Sequence, residues 1–181
     1  MRRLIVSNVM SLDGFFEGPN HEFNWFTPDE EFLDYAKDML RSVDTILFGR
    51  RTYEHMAAYW PTAPRDEIAD KMNNLPKVVV SSTLKKVEWN NSTLVTGDIA
   101  KEISRLKQKP GKDSVIFGSA KLASFLLEAG LIDEYRVILA PLLLGCGNPL
   151  FGDVKKQLRL KLDTTKQLRS GVALLYFRKA G

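Results

Sequence analysis

Residues 45–54, Thr45-Ile46-Leu47-Phe48-Gly49-Arg50-Arg51-Thr52-Tyr53-Glu54, contain an apolar strand that runs through Gly-Arg into a helix. Gly49 lets the backbone approach a ligand closely, and a helix start offers unpaired N–H groups at its positive end. Arg50 and Arg51 add guanidinium groups that suit phosphate. The stretch predicts a phosphate-holding junction, although a glycine at this point also serves a plain turn.

The composition narrows the class of protein. The chain has 181 residues, 44% of them hydrophobic and 27% charged, and this predicts one soluble domain over 1–181. The net charge is +4, but the basic residues do not form a dense block along the sequence, so a nucleic-acid partner is not expected. Cys146 is the only cysteine, and His21 and His55 are the only histidines, so we predict no metal site. With no apolar run long enough for a membrane span or a signal peptide, we expect a cytoplasmic protein.

Strand and helix patterns alternate along most of the chain. After Asp133 the pattern changes to strands with little helix between them. We therefore predict an α/β fold, with a mostly parallel central sheet flanked by helices and antiparallel strands at the C-terminal end. The predicted strands are 4–10, 45–48, 76–81, 93–95, 114–117, 135–140, 158–162 and 172–178, and the predicted helices are 28–40, 51–58, 65–73, 98–107 and 120–129.

Two further strand ends carry residues that suit an anion. Ser81-Ser82-Thr83 follows one apolar strand, and Gly118-Ser119-Ala120 opens a helix after another. Ligands of open α/β sheets bind at the carboxyl ends of strands, so these two junctions and the one at Gly49 are expected to face one ligand. A dinucleotide with a pyrophosphate and an additional phosphate fits three such junctions. The Gly-x-Gly-x-x-Gly and Walker-type motifs are both absent.

The motifs in this order resemble those of the dihydrofolate reductase superfamily, across essentially the whole chain. They are Ser11-Leu12-Asp13-Gly14, Gly49-Arg50-Arg51-Thr52-Tyr53-Glu54, Ser81-Ser82, Gly118-Ser119-Ala120-Lys121-Leu122 and Leu131-Ile132-Asp133-Glu134. Residues 140–151, Ala-Pro-Leu-Leu-Leu-Gly-Cys-Gly-Asn-Pro-Leu-Phe, are similar to a motif of the C-terminal reductase domain of the bacterial bifunctional riboflavin-biosynthesis protein and its stand-alone relatives. The zinc deaminase signature of that bifunctional protein is missing.

This resemblance implies a dihydrofolate-reductase-like fold with NADPH as the cofactor. It pairs Arg50 with the 2′-phosphate, assisted by Ser81 and Ser82. The helix starts after Gly49 and Gly118 would hold the pyrophosphate, and the end of the first strand would cover the nicotinamide. The cofactor-binding set implied in this way is Val9, Met10, Gly49, Arg50, Arg51, Thr52, Ser81, Ser82, Phe117, Gly118, Ser119, Ala120, Lys121 and Leu122.

Two acidic residues are the catalytic candidates that the resemblance implies. Asp13 lies in the loop that closes the site in such reductases, although Asp13-Gly14 also suits a plain turn. Counting from Trp25 places Glu30 where dihydrofolate reductases carry the acid that serves protonation. Glu30 has an acid on either side, and all three also suit the first turn of a helix. A second departure is Phe117-Gly118, where those enzymes usually carry Gly-Gly.

The activity implied is reduction of the ribosyl side chain of 5-amino-6-(5-phosphoribosylamino)uracil, or of another small pyrimidine- or pteridine-like heterocycle. Dihydrofolate reduction and a non-catalytic NADPH-binding module are the alternatives. Related domains commonly form dimers, so we also expect a homodimer, with the strand-rich tail offering an edge for pairing.

Overall fold

The computed structural model describes residues 1–180. Ten strands and five α-helices alternate over most of the chain, and a short 3-10 turn at Trp60–Thr62 follows the second helix. In chain order the elements are β1 Leu4–Ser11, β2 Phe15–Glu17, α1 Glu30–Ser42, β3 Val43–Gly49, α2 Arg50–Tyr59, α3 Glu67–Asn74, β4 Lys77–Val80, β5 Ser92–Val95, α4 Ile99–Gln108, β6 Asp113–Phe117, α5 Ala120–Glu128, β7 Glu134–Ala140, β8 Asn148–Pro149, β9 Leu160–Gln167 and β10 Ala173–Lys179.

Eight strands form the central sheet in the order β5-β4-β3-β6-β1-β7-β10-β9. The strands from β5 to β7 are parallel to one another, and β10 and β9 are antiparallel additions at the far edge. The predicted α/β class, with its parallel centre and antiparallel C-terminal strands, is confirmed. The parallel order brings the carboxyl ends of β4, β3 and β6 side by side, and these are the ends that carry the predicted anion-binding residues.

The buried residues explain why these segments form the centre of the sheet. β1 and β3 are almost wholly buried, as strands covered by helices on both faces must be. One cluster of buried side chains around Phe48 and Trp89 packs against α1 to α3, and another around Ile116 and Leu126 packs against α4 and α5. A third cluster, around Ile138 and Leu174, lies beside β7 and β10.

The sequence pattern missed two features of the fold. β2 and β8 pair in a small second sheet, and neither is long enough to show a hydrophobic alternation. β9 begins two residues later than predicted and runs to Gln167, because every one of its residues is exposed and no apolar pattern marks its extent. No helix within residues 1–180 has the length and apolar character needed to cross a membrane.

Candidate functional site

The Gly49 and Gly118 junctions are joined directly by one serine. The backbone N–H of Gly49 donates to Ser119 Oγ at 2.8 Å, and this hydroxyl donates to Thr52 Oγ1 at 2.7 Å. The starts of α2 and α5 are therefore held side by side at the carboxyl ends of β3 and β6. Two of the three predicted anion-binding junctions thus form one continuous surface.

Gly118 is required by this close approach. Its φ of +60° lies in the left-handed region, and a Cβ at this position would lie 2.9 Å from Thr52 Cγ2. Any side chain here would push α2 away from α5. Ser119 has a φ of +59° as well, so two successive residues turn their backbone in the same unusual way.

The helix caps separate these two helices from the others. α1, α3 and α4 each begin after an aspartate, respectively Asp29, Asp66 and Asp98, whose carboxylate accepts a first-turn N–H. α2 and α5 have no side-chain cap, and the Ser119 hydroxyl that precedes α5 is used by Gly49 and Thr52 instead. Their first-turn N–H groups and positive dipole ends are left for an anion.

The predicted cations are exposed around this surface, with different partners. Arg50 reaches Glu54 only at 3.4 Å, a long and exposed contact that leaves most of its donors free. The side chain of Arg51 lies 3.1 Å from Nδ1 of His21. Lys121 is exposed, and the side chain of Leu122 is buried in the core, so only the Leu122 backbone is available to a ligand.

The serines after β4 differ in their availability. Ser81 is buried, and its Oγ accepts the N–H groups of Thr83 at 3.1 Å and Leu84 at 3.0 Å. Its hydroxyl shapes the turn, as serines at such positions do. Ser82 is exposed and its hydroxyl has no hydrogen-bond partner within residues 1–180, so this hydroxyl is available to a ligand.

A buried asparagine in β1 also belongs to the site, and the sequence analysis did not select it. In the amide orientation that satisfies both neighbours, Asn8 donates to the Ser7 carbonyl at 2.9 Å and accepts from the Gly118 N–H at 3.2 Å. Asn8 thereby fixes the peptide of Gly118 beside the partly exposed end of β1 at Val9 and Met10. Asn8 is a polar residue inside an otherwise apolar strand, and this sequence feature could have identified it.

Residues 12–22 and 142–149 form one unit, which we call the lid, over the carboxyl ends of β1 and β7. The Leu12 N–H donates to the Leu142 carbonyl at 2.8 Å, and β2 pairs with β8. Asp13 accepts the N–H groups of Leu144 at 3.0 Å and Gly145 at 2.8 Å, and the Ser11 hydroxyl at 2.6 Å.

These hydrogen bonds, with that from Ser11 first, lower the pKa of Asp13 to about 2. Asp13 is therefore ionised at neutral pH and anchors the two halves of the lid. Its catalytic role stays a prediction, and these contacts leave it no proton to donate.

Replacing Asp13 by alanine is expected to free the amides of Leu144 and Gly145. Their hydrogen-exchange rates should rise about tenfold, since each loses a bond to a charged acceptor. In the wild-type protein the anchoring contribution is present above the ordinary aspartate pKa of 3.8 and lost as pH falls toward about 2, because the folded pKa is the lower one. Exchange at these two amides that is unchanged in Asp13→Ala would contradict the anchor.

The three acids at the start of α1 have three different environments. Asp29 caps the helix through the Phe32 N–H at 2.8 Å, and Glu31 accepts the Arg169 N–H at 2.7 Å. Glu30 is exposed and has no hydrogen-bond partner within residues 1–180. Its predicted role as a proton donor stays a prediction. Nearby aromatic rings at Phe23, Trp25, Phe26 and Phe32 contact one another, and the buried Nε1 of Trp25 has no partner.

Comparison with known proteins agrees with this architecture. A family model described as the RibD C-terminal domain matches residues 2–174. The uncharacterised protein YyaP of Bacillus subtilis is 34% identical over 186 residues, which cover 99% of this chain and 96% of YyaP.

Three solved structures share the fold. A putative riboflavin biosynthesis protein from Shewanella sp. PV-4 is 22% identical with a TM-score of 0.78, covering 99% of each chain. A deaminase/5-amino-6-(5-phosphoribosylamino)uracil reductase from Thermotoga maritima is 12% identical with a TM-score of 0.74, covering 99% of this chain and 57% of that one. Dihydrofolate reductase from Enterococcus faecalis, complexed with NADP(H), is 15% identical with a TM-score of 0.69, covering 99% of this chain and 97% of that one.

Proposed function

The chain belongs to the RibD C-terminal domain family, and from that membership we propose that it is an NADPH-dependent reductase of a small pyrimidine- or pteridine-like heterocycle. The observation that carries the proposal is the pair of uncapped helix starts, α2 and α5, joined through Ser119 with Arg50 and Arg51 exposed beside them. Two adjacent helix starts and a guanidinium suit a pyrophosphate and a further phosphate. A cytoplasmic location remains part of the proposal.

The residues present fit NADPH. Arg50 and Ser82 would hold the 2′-phosphate, because both are exposed and neither is committed to a close partner. The N–H groups that follow Gly49 and Ser119 would hold the pyrophosphate, and Gly118 gives the close approach that a side chain would block. The partly exposed Val9, Met10 and Phe117 would form the wall beside the nicotinamide. When bound, NADPH supplies a hydride.

For the substrate we propose 5-amino-6-(5-phosphoribosylamino)uracil or a close relative. Support comes from family membership and from the shared fold of the Thermotoga maritima protein whose reductase activity on this compound is part of its name. The reduction adds a hydride to the opened sugar carbon and a proton to the atom double-bonded to it. The ionised Asp13 and the exposed Glu30 suit a reaction in which no buried carboxylic acid protonates the ring.

The test is a titration of the purified protein with NADPH and, separately, with NADH, followed by quenching of tryptophan fluorescence. Tight binding with a clear preference for NADPH supports the proposal, and binding of neither cofactor overturns it. Oxidation of NADPH is then followed with the phosphoribosylaminouracil and with dihydrofolate. A protein that binds NADPH but oxidises it with neither compound would favour the non-catalytic module.

Glu30→Gln distinguishes the two reductase alternatives. Because Glu30 is exposed and its side chain has no hydrogen-bond or ion-pair partner within residues 1–180, we expect the variant to keep its turnover of the uracil substrate within about twofold of wild type. Loss of dihydrofolate turnover in the same variant would instead favour a folate reductase. Asp34→Asn, one turn further along α1, is the matched control for removal of a charge from this helix.

We further propose that the protein forms a homodimer through β9. This edge strand is exposed along its whole length, and Leu160 and Leu162 are 39% and 47% exposed on one face of it. A second copy would pair with the open edge and cover both side chains. Sedimentation velocity should give the mass of two chains for the wild-type protein and of one chain for Leu162→Lys. A wild-type protein with the mass of one chain contradicts the proposal.

A further inference from the structure

Three polar side chains from three different elements meet around His21. Nδ1 of His21 lies 2.5 Å from Glu17 Oε1, 3.0 Å from Asn148 Nδ2 and 3.1 Å from a terminal nitrogen of Arg51. Glu17 and Asn148 belong to the small sheet of the lid, whereas Arg51 lies in the first turn of α2. The cluster is thus a side-chain connection between the lid and α2.

A single ring nitrogen cannot serve these neighbours together. With its hydrogen present Nδ1 donates to Glu17, and with the lone pair free it accepts from Arg51. The pairing of Asn148 does not depend on whether Nδ1 of His21 carries a hydrogen, because the Asn148 amide donates to Glu17 at 3.1 Å and to the Gly18 carbonyl at 2.9 Å. His21 therefore has two alternative pairings, one within the lid and one across to α2.

The pairing with Arg51 crosses the candidate site. The lid follows β1 and β7, α2 follows β3, and β6 lies between β1 and β3 in the sheet. A contact between His21 and Arg51 thus spans the end of β6, where Gly118 and Ser119 begin the uncapped helix. A dinucleotide held at that junction would place its nicotinamide half beside the end of β1, under the lid that this contact fastens.

We propose that His21 is a positioning residue that fastens the lid to α2 by accepting a hydrogen bond from Arg51 at its free Nδ1 lone pair, and so slows release of the dinucleotide. The retention of cofactor rests on the proposed function, whereas the fastening itself does not. The charged groups that contact His21 are Glu17 from β2 and Arg51 from α2.

The chain offers a matched pair of variants. His21 has a φ of +68°, and asparagine tolerates this conformation while removing the ring, so His21→Asn tests the contact with little backbone strain. His55→Asn makes the same exchange at an exposed position of α2 and serves as the control. The rate of NADPH dissociation is measured by stopped-flow fluorescence for the wild-type protein and both variants.

We expect His21→Asn to release NADPH about tenfold faster than the wild-type protein and His55→Asn, the effect of losing one hydrogen bond to a charged group. Adenosine 2′,5′-diphosphate, which lacks the nicotinamide half, should dissociate from all three proteins alike. A His21→Asn variant that releases NADPH at the wild-type rate overturns the proposal.

A second measurement separates this proposal from the proposed function. Hydrogen exchange of the ligand-free proteins should be faster in residues 14–20 of Arg51→Met, which keeps the pairing of His21 with Glu17, than in wild type or His55→Asn. Failure of the wild-type protein to bind NADPH would overturn the proposed function and the retention of cofactor, and faster exchange would still establish the fastening. Equal exchange in all three proteins overturns the fastening.

Discussion

Arg50→Ala is expected to weaken NADPH binding by about 10- to 100-fold, while NADH binding stays nearly unchanged. Hydrogen bonds to a charged group contribute about 1.5–3 kcal/mol each, and NADH lacks the 2′-phosphate that would receive them. Arg50 is held only weakly by other residues of the chain, since its exposed contact with Glu54 is 3.4 Å long. The measurement is the fluorescence titration of both cofactors with both proteins.

Arg105→Ala is the matched control for this prediction. Arg105 is also an exposed helical arginine, and it pairs with Glu102 on the same helix at 2.7 Å. We expect its removal to leave the binding of both cofactors as in wild type. Equal losses for NADPH and NADH in Arg50→Ala would contradict the assignment of Arg50 to the 2′-phosphate, and would mean that this side chain acts on a part common to both cofactors.

Lys77→Met is expected to destabilise the protein by about 3 kcal/mol. Lys77 is 1% exposed, and its Nζ donates to the carbonyls of Asn73 at 3.0 Å, Leu75 at 2.7 Å and Asn90 at 2.9 Å. The ammonium also lies 4.4 Å from the ring centre of Trp89. Methionine keeps the length of the side chain but leaves three buried acceptors without donors, at about 1 kcal/mol or more each. Urea denaturation gives the free energy of unfolding.

Burial lowers the pKa of Lys77 to about 8, yet the ammonium remains the main form at neutral pH, where its three N–H donors match the three carbonyls. Lys101→Met, at an exposed position of α4, is the control and should change stability by less than about 0.5 kcal/mol. A change this small in Lys77→Met would show that the three carbonyls find other partners.

The positions of the candidate site residues were predictable where a local sequence pattern placed a residue at the end of a strand. Gly49 and Gly118 follow apolar strands and precede helices, and parallel strands bring such ends to one edge. The structure places both there. The distinction between Ser81 and Ser82 was not predictable, because adjacent serines share one pattern and the turn itself decides which hydroxyl is used.

The contacts within the lid could not be predicted from the sequence. Asp13 reaches Leu144 and Gly145 from the other end of the chain, and Glu17 meets Asn148 in the same way. No local sequence pattern predicts such contacts. Each one forms because two loops that are distant in sequence follow strands that are neighbours in the sheet. Glu30 was selected by counting from Trp25, and the helix geometry then left it exposed to solvent.

The α/β class, the order of most elements and the two junctions at Gly49 and Gly118 follow from local sequence, because hydrophobic periodicity and turn residues act over a few neighbouring positions. Which of the predicted polar groups are free and which are engaged depends on the tertiary fold. Asp13 and Ser81 are held by backbone N–H groups, whereas Arg50 and Ser82 are left available. The physical reason is that a polar group's partners depend on where the chain returns, and the order of strands in the sheet sets that return.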